Sequence, residues 1–269
     1  MSLISLGRIV ADMLPASAKD PNMKTALITG AGRREGIGFE TARQMAQQGM
    51  QVFLSARSVE KAQQLTQVLR DEGLNVSALQ LDTTDPASVT QAIKRIEDQA
   101  GRLDVLINNA AIMAVTPVTD FRTDLDVVRQ QFEANLIGTW RLSQECFPLL
   151  QASGDGRIVN VSSGAGSFWD PDFGLVNNPG FEMSKFGDVP IGSYALTKLA
   201  LNGLTIKLAK DFNAARILVN SVCPGLVATY PNSPGRPVED GARSVVWAAN
   251  IPATGPTGLF FRDGKQLPW

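Results

Sequence analysis

From residue 24 onward, short runs of apolar residues alternate with longer segments in which apolar residues recur at helical spacing. The short runs predict six buried strands, at Thr25–Thr29, Gln51–Leu54, Val76–Leu81, Leu103–Ile107, Arg157–Val161 and Ile217–Val222. The longer segments predict helices, and Asp85 followed by Pro86 has the residue types that begin one of them. This alternation is typical of βαβ units, so we predict one α/β domain with a doubly wound parallel sheet and helices on both faces.

The composition argues against a nucleic-acid binder and against a membrane protein. Lysine and arginine number 25 against 26 acidic residues, so no basic excess is present to neutralise a phosphate backbone. No run approaches the roughly 18 apolar residues of a membrane span. The chain contains no histidine, which excludes Ser-His-Asp hydrolysis, and we expect no metal site. Cys146 and Cys223 lack C-x-x-C spacing and indicate reduced thiols, so we predict a cytoplasmic protein.

The first 23 residues are interpreted as an arm that precedes a single domain of residues 24–269. Arg8 and Asp12 interrupt the apolar residues of this arm, and no basic region precedes them, which disfavours a secretory signal. The arm is either a short amphipathic segment or an extension upstream of a second start at Met23.

A glycine-rich loop connects the first predicted strand to the first predicted helix. It runs from Thr29 to Gly38, with glycines at positions 30, 32, 36 and 38. Glycines let the backbone turn sharply and approach a pyrophosphate, which the N–H groups of the helix N-terminus stabilise. The strand before and the helix after are the context that a dinucleotide site requires, although a tight strand-to-helix turn is the alternative.

The end of the second predicted strand carries Arg57 where NAD-binding folds usually place a carboxylate for the ribose 2′-hydroxyl. A guanidinium binds a 2′-phosphate bidentately, and Arg33 and Arg34 add positive charge nearby. The sequence therefore favours NADP(H) over NAD(H), unless Arg57 is an ordinary solvated residue.

Tyr194 and Lys198 stand four positions apart at the start of a predicted helix, so their side chains share one face. A phenol with its usual pKa of about 10 is a poor acid or base at neutral pH, and a neighbouring cation lowers that pKa. The pattern is common by chance, but the chain has only two tyrosines, and this one follows the pair Ser162-Ser163.

Together with further motifs, these residues resemble the short-chain dehydrogenase/reductase family. The further motifs lie in the expected order along the chain: Asp82 after the third predicted strand, Asn108–Ala111 after the fourth, Asn135, Ser162–Ser163 after the fifth and Pro224–Gly225 after the sixth. Arg57 and the C-terminal segments Gly255–Phe261 and Pro268–Trp269 look like the NADPH-dependent carbonyl reductase branch. The resemblance implies a Rossmann-type fold and an NADP-binding catalytic domain.

The resemblance also implies the catalytic set Asn135, Ser163, Tyr194 and Lys198. Tyr194 would protonate the carbonyl oxygen as hydride arrives from the nicotinamide, and Ser163 would orient that oxygen. Lys198 would lower the pKa of Tyr194 and hold the nicotinamide ribose, and Asn135 would anchor a water relay to solvent. The cofactor residues implied by the resemblance are Gly30, Arg33, Arg34, Gly36, Ile37, Gly38, Arg57, Asp82, Thr83, Asn109, Ala110, Tyr194, Lys198, Pro224, Gly225, Val227 and Thr229.

Two spacings depart from the usual family pattern. Five residues separate Gly30 from Gly36, two more than is usual, which leaves the phosphate contacts of residues 31–35 open. Divergent enoyl reductases share a longer loop, but they place the lysine further from the tyrosine than it is here. The gap of 31 positions between Ser163 and Tyr194 is also long, and monomeric carbonyl reductases carry a still longer insertion there.

The segment of residues 164–190 is interpreted as an insertion that forms a lid on the substrate side. Five of the chain's 18 aromatic residues lie in it, and we expect Trp169 and Phe173, with Ser163 and Tyr194, to contact the substrate. The alternative is that these rings only pack the insertion onto the body. Coverage of the helices through which most family members associate would favour a monomer, and a small homo-oligomer stays open.

The leading hypothesis is NADPH-dependent reduction of a small apolar ketone or aldehyde to an alcohol. An alcohol dehydrogenase that runs the oxidation would use the same site. A non-catalytic NADP-sensing protein on the same fold is the third possibility, because a fold does not fix a function. A sensor has no need of a proton donor, whereas all four residues of the implied catalytic set are present.

Overall fold

A computed structural model describes residues 23–114, 123–175 and 192–269. The arm of residues 1–22 and residues 176–190 of the insertion lie outside these described ranges, so the predictions that concern them stay predictions.

All six predicted strands form, within one or two residues of their predicted bounds, and two short C-terminal strands join them. The strands are β1 (Thr25–Ile28), β2 (Gln51–Ala56), β3 (Val76–Gln80), β4 (Val105–Asn108), β5 (Arg157–Val161), β6 (Leu218–Val222), β7 (Phe260–Arg262) and β8 (Lys265–Leu267). They form one sheet in the order β3-β2-β1-β4-β5-β6-β7-β8. Neighbours are parallel from β3 through β7. The predicted α/β class with a doubly wound sheet is confirmed.

Helices connect the strands and cover both faces of the sheet. They are α1 (Ile37–Gln47), α2 (Val59–Asp71), α3 (Pro86–Ala100), α4 (Leu125–Phe132), α5 (Gly138–Glu145), α6 (Phe147–Ser153), α7 (Gly192–Asp211) and α8 (Val238–Ala249). A π-helical segment, Glu133–Ile137, joins α4 directly to α5. As predicted, Asp85 caps α3, with its Oδ1 accepting the N–H of Ala87 at 2.9 Å.

Side chains that alternate along each strand build a separate apolar core on each face. In β1 and β4, Ile28 and Ile107 pack with residues of α1, α2 and α8. Leu27 and Leu106 point the other way and pack with residues of α3, α5, α6 and α7. Within the described ranges, no helix combines the length and apolarity needed to cross a bilayer.

The C-terminal strands differ from the purely parallel sheet that we predicted. Strand β8 runs antiparallel to β7, and only Asp263 and Gly264 separate the two strands. Both residues have positive φ, 52° and 76°, which suits the two-residue turns that reverse a hairpin. Helix α8 was also not predicted.

Strand β1 pairs with β2 on one side and with β4 on the other. The direction in which successive strands are added to the sheet therefore reverses between β1 and β4. The connections that leave these strands lie on opposite faces, which opens a crevice at the carboxyl ends. The predicted glycine loop leaves β1 at this point.

Candidate active site

A cavity of about 700 Å³ lies at the carboxyl ends of the strands, and it lies within the roughly 300–1,000 Å³ typical of small-molecule sites. Most of the predicted cofactor residues line it: Gly30, Arg33, Gly36, Ile37, Gly38, Arg57, Asp82, Thr83, Asn109, Ala110, Tyr194, Lys198, Pro224 and Thr229. Gly225 and Val227 line an adjoining cavity instead. Arg34 is exposed and lines neither of these two cavities.

Contacts between the loops that follow β1 and β4 fix the floor of this cavity. The Oγ1 of Thr29 accepts the backbone N–H groups of Asn109 at 3.0 Å and of Ala110 at 2.9 Å. The Nδ2 of Asn109 donates back to the Thr29 carbonyl at 2.8 Å. Gly30 has φ +67°, and a Cβ there would lie 2.5 Å from the Ala110 Cα, so only glycine fits this approach.

The two extra residues of the glycine loop are taken up in a turn. The Gly36 N–H donates to the Arg33 carbonyl at 3.1 Å, and residues 34 and 35 form the exposed turn between them. Gly36 and Gly38 therefore still line the cavity at the start of α1.

The charges around the cavity fit a phosphorylated dinucleotide. Arg33, Arg57 and Lys61 line it, and Asp82 is the single carboxylate among the described lining residues. Asp82 Oδ1 accepts from the N–H and the hydroxyl of Thr84, at 3.0 and 2.7 Å. Arg57 follows β2 and Lys61 lies in the first turn of α2, so both cations line the cavity on the side of β2.

A second cavity of about 210 Å³ adjoins the first, and its lining is mostly apolar. Ser163, Phe173 and Cys223 line only the second cavity, whereas Tyr194 lines both. Tyr194 is therefore one of the residues that lie between the larger cavity and the apolar cavity.

Burial shifts the pKa values of Tyr194 and Lys198 in opposite directions. Desolvation raises the pKa of the Tyr194 phenol above its usual value, and it lowers the pKa of Lys198 to about 8. The Lys198 Nζ donates to the Val161 carbonyl at 2.7 Å and lies 5.5 Å from the centre of the Tyr194 ring. The expected lowering of the Tyr194 pKa by Lys198 stays a prediction.

Ser163 lies two residues after the end of β5, in extended backbone, and lines the second cavity. Its Oγ accepts the Ala165 N–H at 3.2 Å. The neighbouring Gly164 N–H donates to the Sγ of Cys223 at 3.2 Å, which ties the serine loop to the end of β6. The structure thus brings Ser163 and Tyr194 to the same cavity, as predicted.

Asn135 is buried in the π-helical segment and lines neither cavity. Its Oδ1 accepts the Ile112 N–H at 2.8 Å, and its Nδ2 donates to the Ile112 carbonyl at 2.9 Å and to the Thr197 hydroxyl at 3.0 Å. This side chain links the loop after β4 to α7, one residue before Lys198. The geometry makes Asn135 a positioning residue, and the predicted water relay stays a prediction.

The described half of the insertion, residues 164–175, forms a compact turn around a buried carboxylate. Asp170 Oδ1 accepts the N–H groups of Asp172 and Phe173, at 2.8 and 3.0 Å, and Arg262 of β7 forms ion pairs with both aspartates. The Arg262 guanidinium lies 5.1 Å from the Phe173 ring. Phe173 thus reaches the second cavity, whereas Trp169 is 52% exposed and lines neither cavity.

Several lining residues were not predicted from the sequence: Ser58, Lys61, Thr84, Ile112, Met113, Cys223, Leu226 and Tyr230. Lys61 could have been found, because it lies four positions after Arg57 at the start of a predicted helix. The others carry no local signal, since their approach to the cavities depends on loop conformation.

A model of the short chain dehydrogenase family matches residues 24–237 of this chain. The chain is 31% identical to short-chain dehydrogenase/reductase 1 of Saponaria officinalis, over 96% of this chain and 100% of that protein. It is 32% identical to carbonyl reductase [NADPH] 1 of Mus musculus, over 91% of this chain and 98% of that protein. It is 33% identical to (+)-neomenthol dehydrogenase of Arabidopsis thaliana, over 90% and 96%.

The fold is similar to that of salutaridine reductase from Papaver somniferum. The two structures superpose with a TM-score of 0.73 at 25% sequence identity, over 89% of this chain and 99% of that chain. The similarity therefore extends well beyond the first strands and includes the half of the fold that contains Tyr194 and Lys198.

The contact between Thr29 and the loop after β4 can be tested by Thr29→Val, which keeps the side-chain shape and removes the acceptor. The half-buried Ala110 N–H then loses its partner, so we expect the free energy of unfolding to fall by about 1–3 kcal/mol in urea denaturation. Thr90→Val is the matched control, because Thr90 is exposed on α3 and its hydroxyl bonds only within that helix. Equal losses in the two variants would contradict this interpretation.

Proposed function

Because the chain belongs to the short-chain dehydrogenase/reductase family of oxidoreductases, we propose that it reduces a ketone or an aldehyde to an alcohol with NADPH. The observation that carries the proposal is the position of Tyr194 between the two cavities. A protonated phenol there can reach a carbonyl in the apolar cavity while the dinucleotide cavity lies on its other side. A sensor of NADP would have no need of this arrangement.

The described residues fit a nicotinamide dinucleotide, which supplies the hydride when it is bound. The glycine loop and the N-terminus of α1 would hold its pyrophosphate. Arg57 and Lys61 would bind the 2′-phosphate, which favours NADPH over NADH, and Arg33 adds positive charge on the same rim. The Nζ of Lys198 would hold the nicotinamide ribose.

The substrate class follows from the second cavity. Ala165, Leu226, Val227 and Phe173 give it an apolar wall, and Ser163 and Tyr194 are among the hydroxyl-bearing residues of its lining. Such a lining suits an apolar molecule with one carbonyl. The names of the relatives support this class, since one is a carbonyl reductase that uses NADPH and another a dehydrogenase of neomenthol.

The chain's own residues would carry the proton transfer. A phenol is protonated at neutral pH, so Tyr194 can donate a proton to the carbonyl oxygen. The Ser163 hydroxyl would orient that oxygen by donating a hydrogen bond to it. Below about pH 8, Lys198 carries a positive charge that stabilises negative charge developing nearby. We further propose that the enzyme acts in the cytoplasm.

The general acid is tested by Tyr194→Phe, which keeps the ring and removes only the hydroxyl. We expect kcat for ketone reduction to fall by about 10²–10⁴-fold, because the proton donor is lost. NADPH binding, measured by fluorescence titration, should persist and serves as the control for folding. A near-normal kcat would contradict the role of Tyr194.

Cofactor choice is tested by Ala56→Asp combined with Arg57→Ala, which exchanges a phosphate-binding cation for a ribose-binding carboxylate. Loss of one charge-assisted hydrogen bond, about 1.5–3 kcal/mol, should weaken NADPH binding by roughly 10- to 150-fold. Arg34→Ala removes one positive charge, as Arg57→Ala does, but at a position that lines neither cavity, so it should have a smaller effect. Equal use of NADPH and NADH by the wild type would show that Arg57 is not the discriminating residue.

The substrate wall is tested by Phe173→Ala, with Trp169→Ala as the matched aromatic control. Loss of apolar contact worth roughly 1–2 kcal/mol should raise KM for bulky apolar ketones by about 5- to 30-fold. The affinity for NADPH should not change, and Trp169→Ala should have little effect because Trp169 lines neither cavity. Equal losses for small and bulky ketones, with a lower Tm, would show that Phe173 only stabilises the fold through its contact with Arg262.

A further inference from the structure

A contact between an arginine and an aromatic ring connects two loops at the rim of the dinucleotide cavity. The guanidinium carbon of Arg33 lies 4.0 Å from the centre of the Tyr230 ring, and both residues line that cavity. Arg33 belongs to the lengthened loop after β1, and Tyr230 belongs to the loop between β6 and α8. The two side chains are exposed, so the contact lies at the opening of the cavity and not in its floor.

The loop that carries Tyr230 is closed at its base. The Ala228 N–H donates to the Arg236 carbonyl at 3.0 Å, and the Arg236 N–H donates to the Leu226 carbonyl at 2.8 Å. Gly235 has φ +133°, and a Cβ there would lie 2.8 Å from the Ala228 nitrogen, so this closure requires glycine. The two ends of the loop are thus held side by side while its tip extends to Tyr230.

The Arg236 side chain fixes this base to the body of the protein. Its Nε donates to the Pro224 carbonyl at 2.7 Å, and its Nη1 forms an ion pair with Asp263 at 2.8 Å. Pro224 lies just beyond β6, and Asp263 lies in the turn between β7 and β8. The loop is therefore anchored to the edge of the sheet and not to the opposite rim, where Arg33 lies.

A local turn at the tip sets the direction of Tyr230. The Ser233 Oγ accepts the Tyr230 N–H at 3.2 Å and donates to the Tyr230 carbonyl at 2.8 Å. The ring itself is 62% exposed, so burial in the core does not explain its position. The face of the ring meets the cation across the opening, which is the favourable geometry for a cation–π contact.

We propose that Tyr230, through its contact with Arg33, is a cofactor-retaining residue that closes the rim of the dinucleotide cavity and slows the release of NADP(H). This inference rests on the proposed function, because it requires NADP(H) to be the molecule in that cavity. A dinucleotide that leaves the site must separate the two loops or pass beneath them. In this proposal, the lengthened loop after β1 brings Arg33 into contact with the Tyr230 ring.

Release of NADPH from the full-length protein tests the proposal directly. Bound NADPH is chased with excess NADP⁺ in a stopped-flow instrument, and the loss of NADPH fluorescence gives the dissociation rate. Tyr230→Leu removes the aromatic face, and we expect its dissociation rate to rise by about 2- to 30-fold. Tyr230→Phe is the matched control, since it keeps the ring and should release NADPH within about twofold of the wild-type rate.

Arg33→Gln completes a double-mutant cycle that separates the contact from any contact of Arg33 with phosphate. If the pair acts together, Arg33→Gln accelerates release less in the Tyr230→Leu background than in the wild type. Additive effects would overturn the proposal. A faster association rate in Tyr230→Leu with unchanged release would also overturn it, because the contact would then only obstruct entry.

The same measurements distinguish failure of this proposal from failure of the proposed function. If the wild type shows no NADPH fluorescence change at any concentration, the cofactor assignment fails and the role of Tyr230 fails with it. If the wild type binds NADPH and Tyr230→Leu releases it at the wild-type rate, only the role of Tyr230 is wrong. Because the Tyr230 side chain is largely exposed, its substitution should leave the fold intact.

Discussion

The close approach of the backbone after β1 to the backbone after β4 is the constraint on which the rest of the site depends. β1 and β4 are neighbouring parallel strands in the sheet, so the loops that follow them leave from the same edge, at the carboxyl ends of the strands. Thr29 satisfies two N–H groups of the facing loop, and Gly30 has no Cβ that could keep the loops apart. This close approach lets the glycine loop line the larger cavity from one side. The loop from Asn109 to Met113 lines both cavities from the other side.

Burial affects both titratable groups that the proposed reaction would use. The same desolvation favours the neutral form of both Tyr194 and Lys198, so it raises one pKa and lowers the other. A neutral phenol is the form that can donate a proton, and a lysine with a pKa of about 8 keeps its charge at neutral pH. The Asn135 side chain holds α7 against the loop after β4, which fixes both groups without contacting either cavity.

The sequence predicted what depends on local pattern. Apolar runs located the six parallel strands, and the four-residue spacing located Tyr194 and Lys198 on one face of α7. The direction of the Tyr194 pKa shift could not be predicted, because it depends on how many atoms the fold packs around the phenol. Trp169 and Phe173 looked equivalent in the sequence, but Phe173 contacts Arg262 of β7, far away in the sequence, and lines the second cavity, whereas Trp169 lines neither cavity. Asp263-Gly264 is a dipeptide typical of two-residue hairpin turns, but our strand prediction did not include the two short strands on either side of it.

The two departures from the usual family spacing are the lengthened loop after β1 and the insertion after Ser163, and the described part of each includes an arginine–aromatic contact. On the dinucleotide side, Arg33 of the lengthened loop meets Tyr230. On the substrate side, Arg262 meets Phe173 of the insertion. Both rings line a cavity, and neither belongs to the set around Tyr194 that would transfer the proton. Each contact joins side chains of two different loops or strands, so substitutions at these four positions can alter the cavity walls without altering the pairing of the sheet strands.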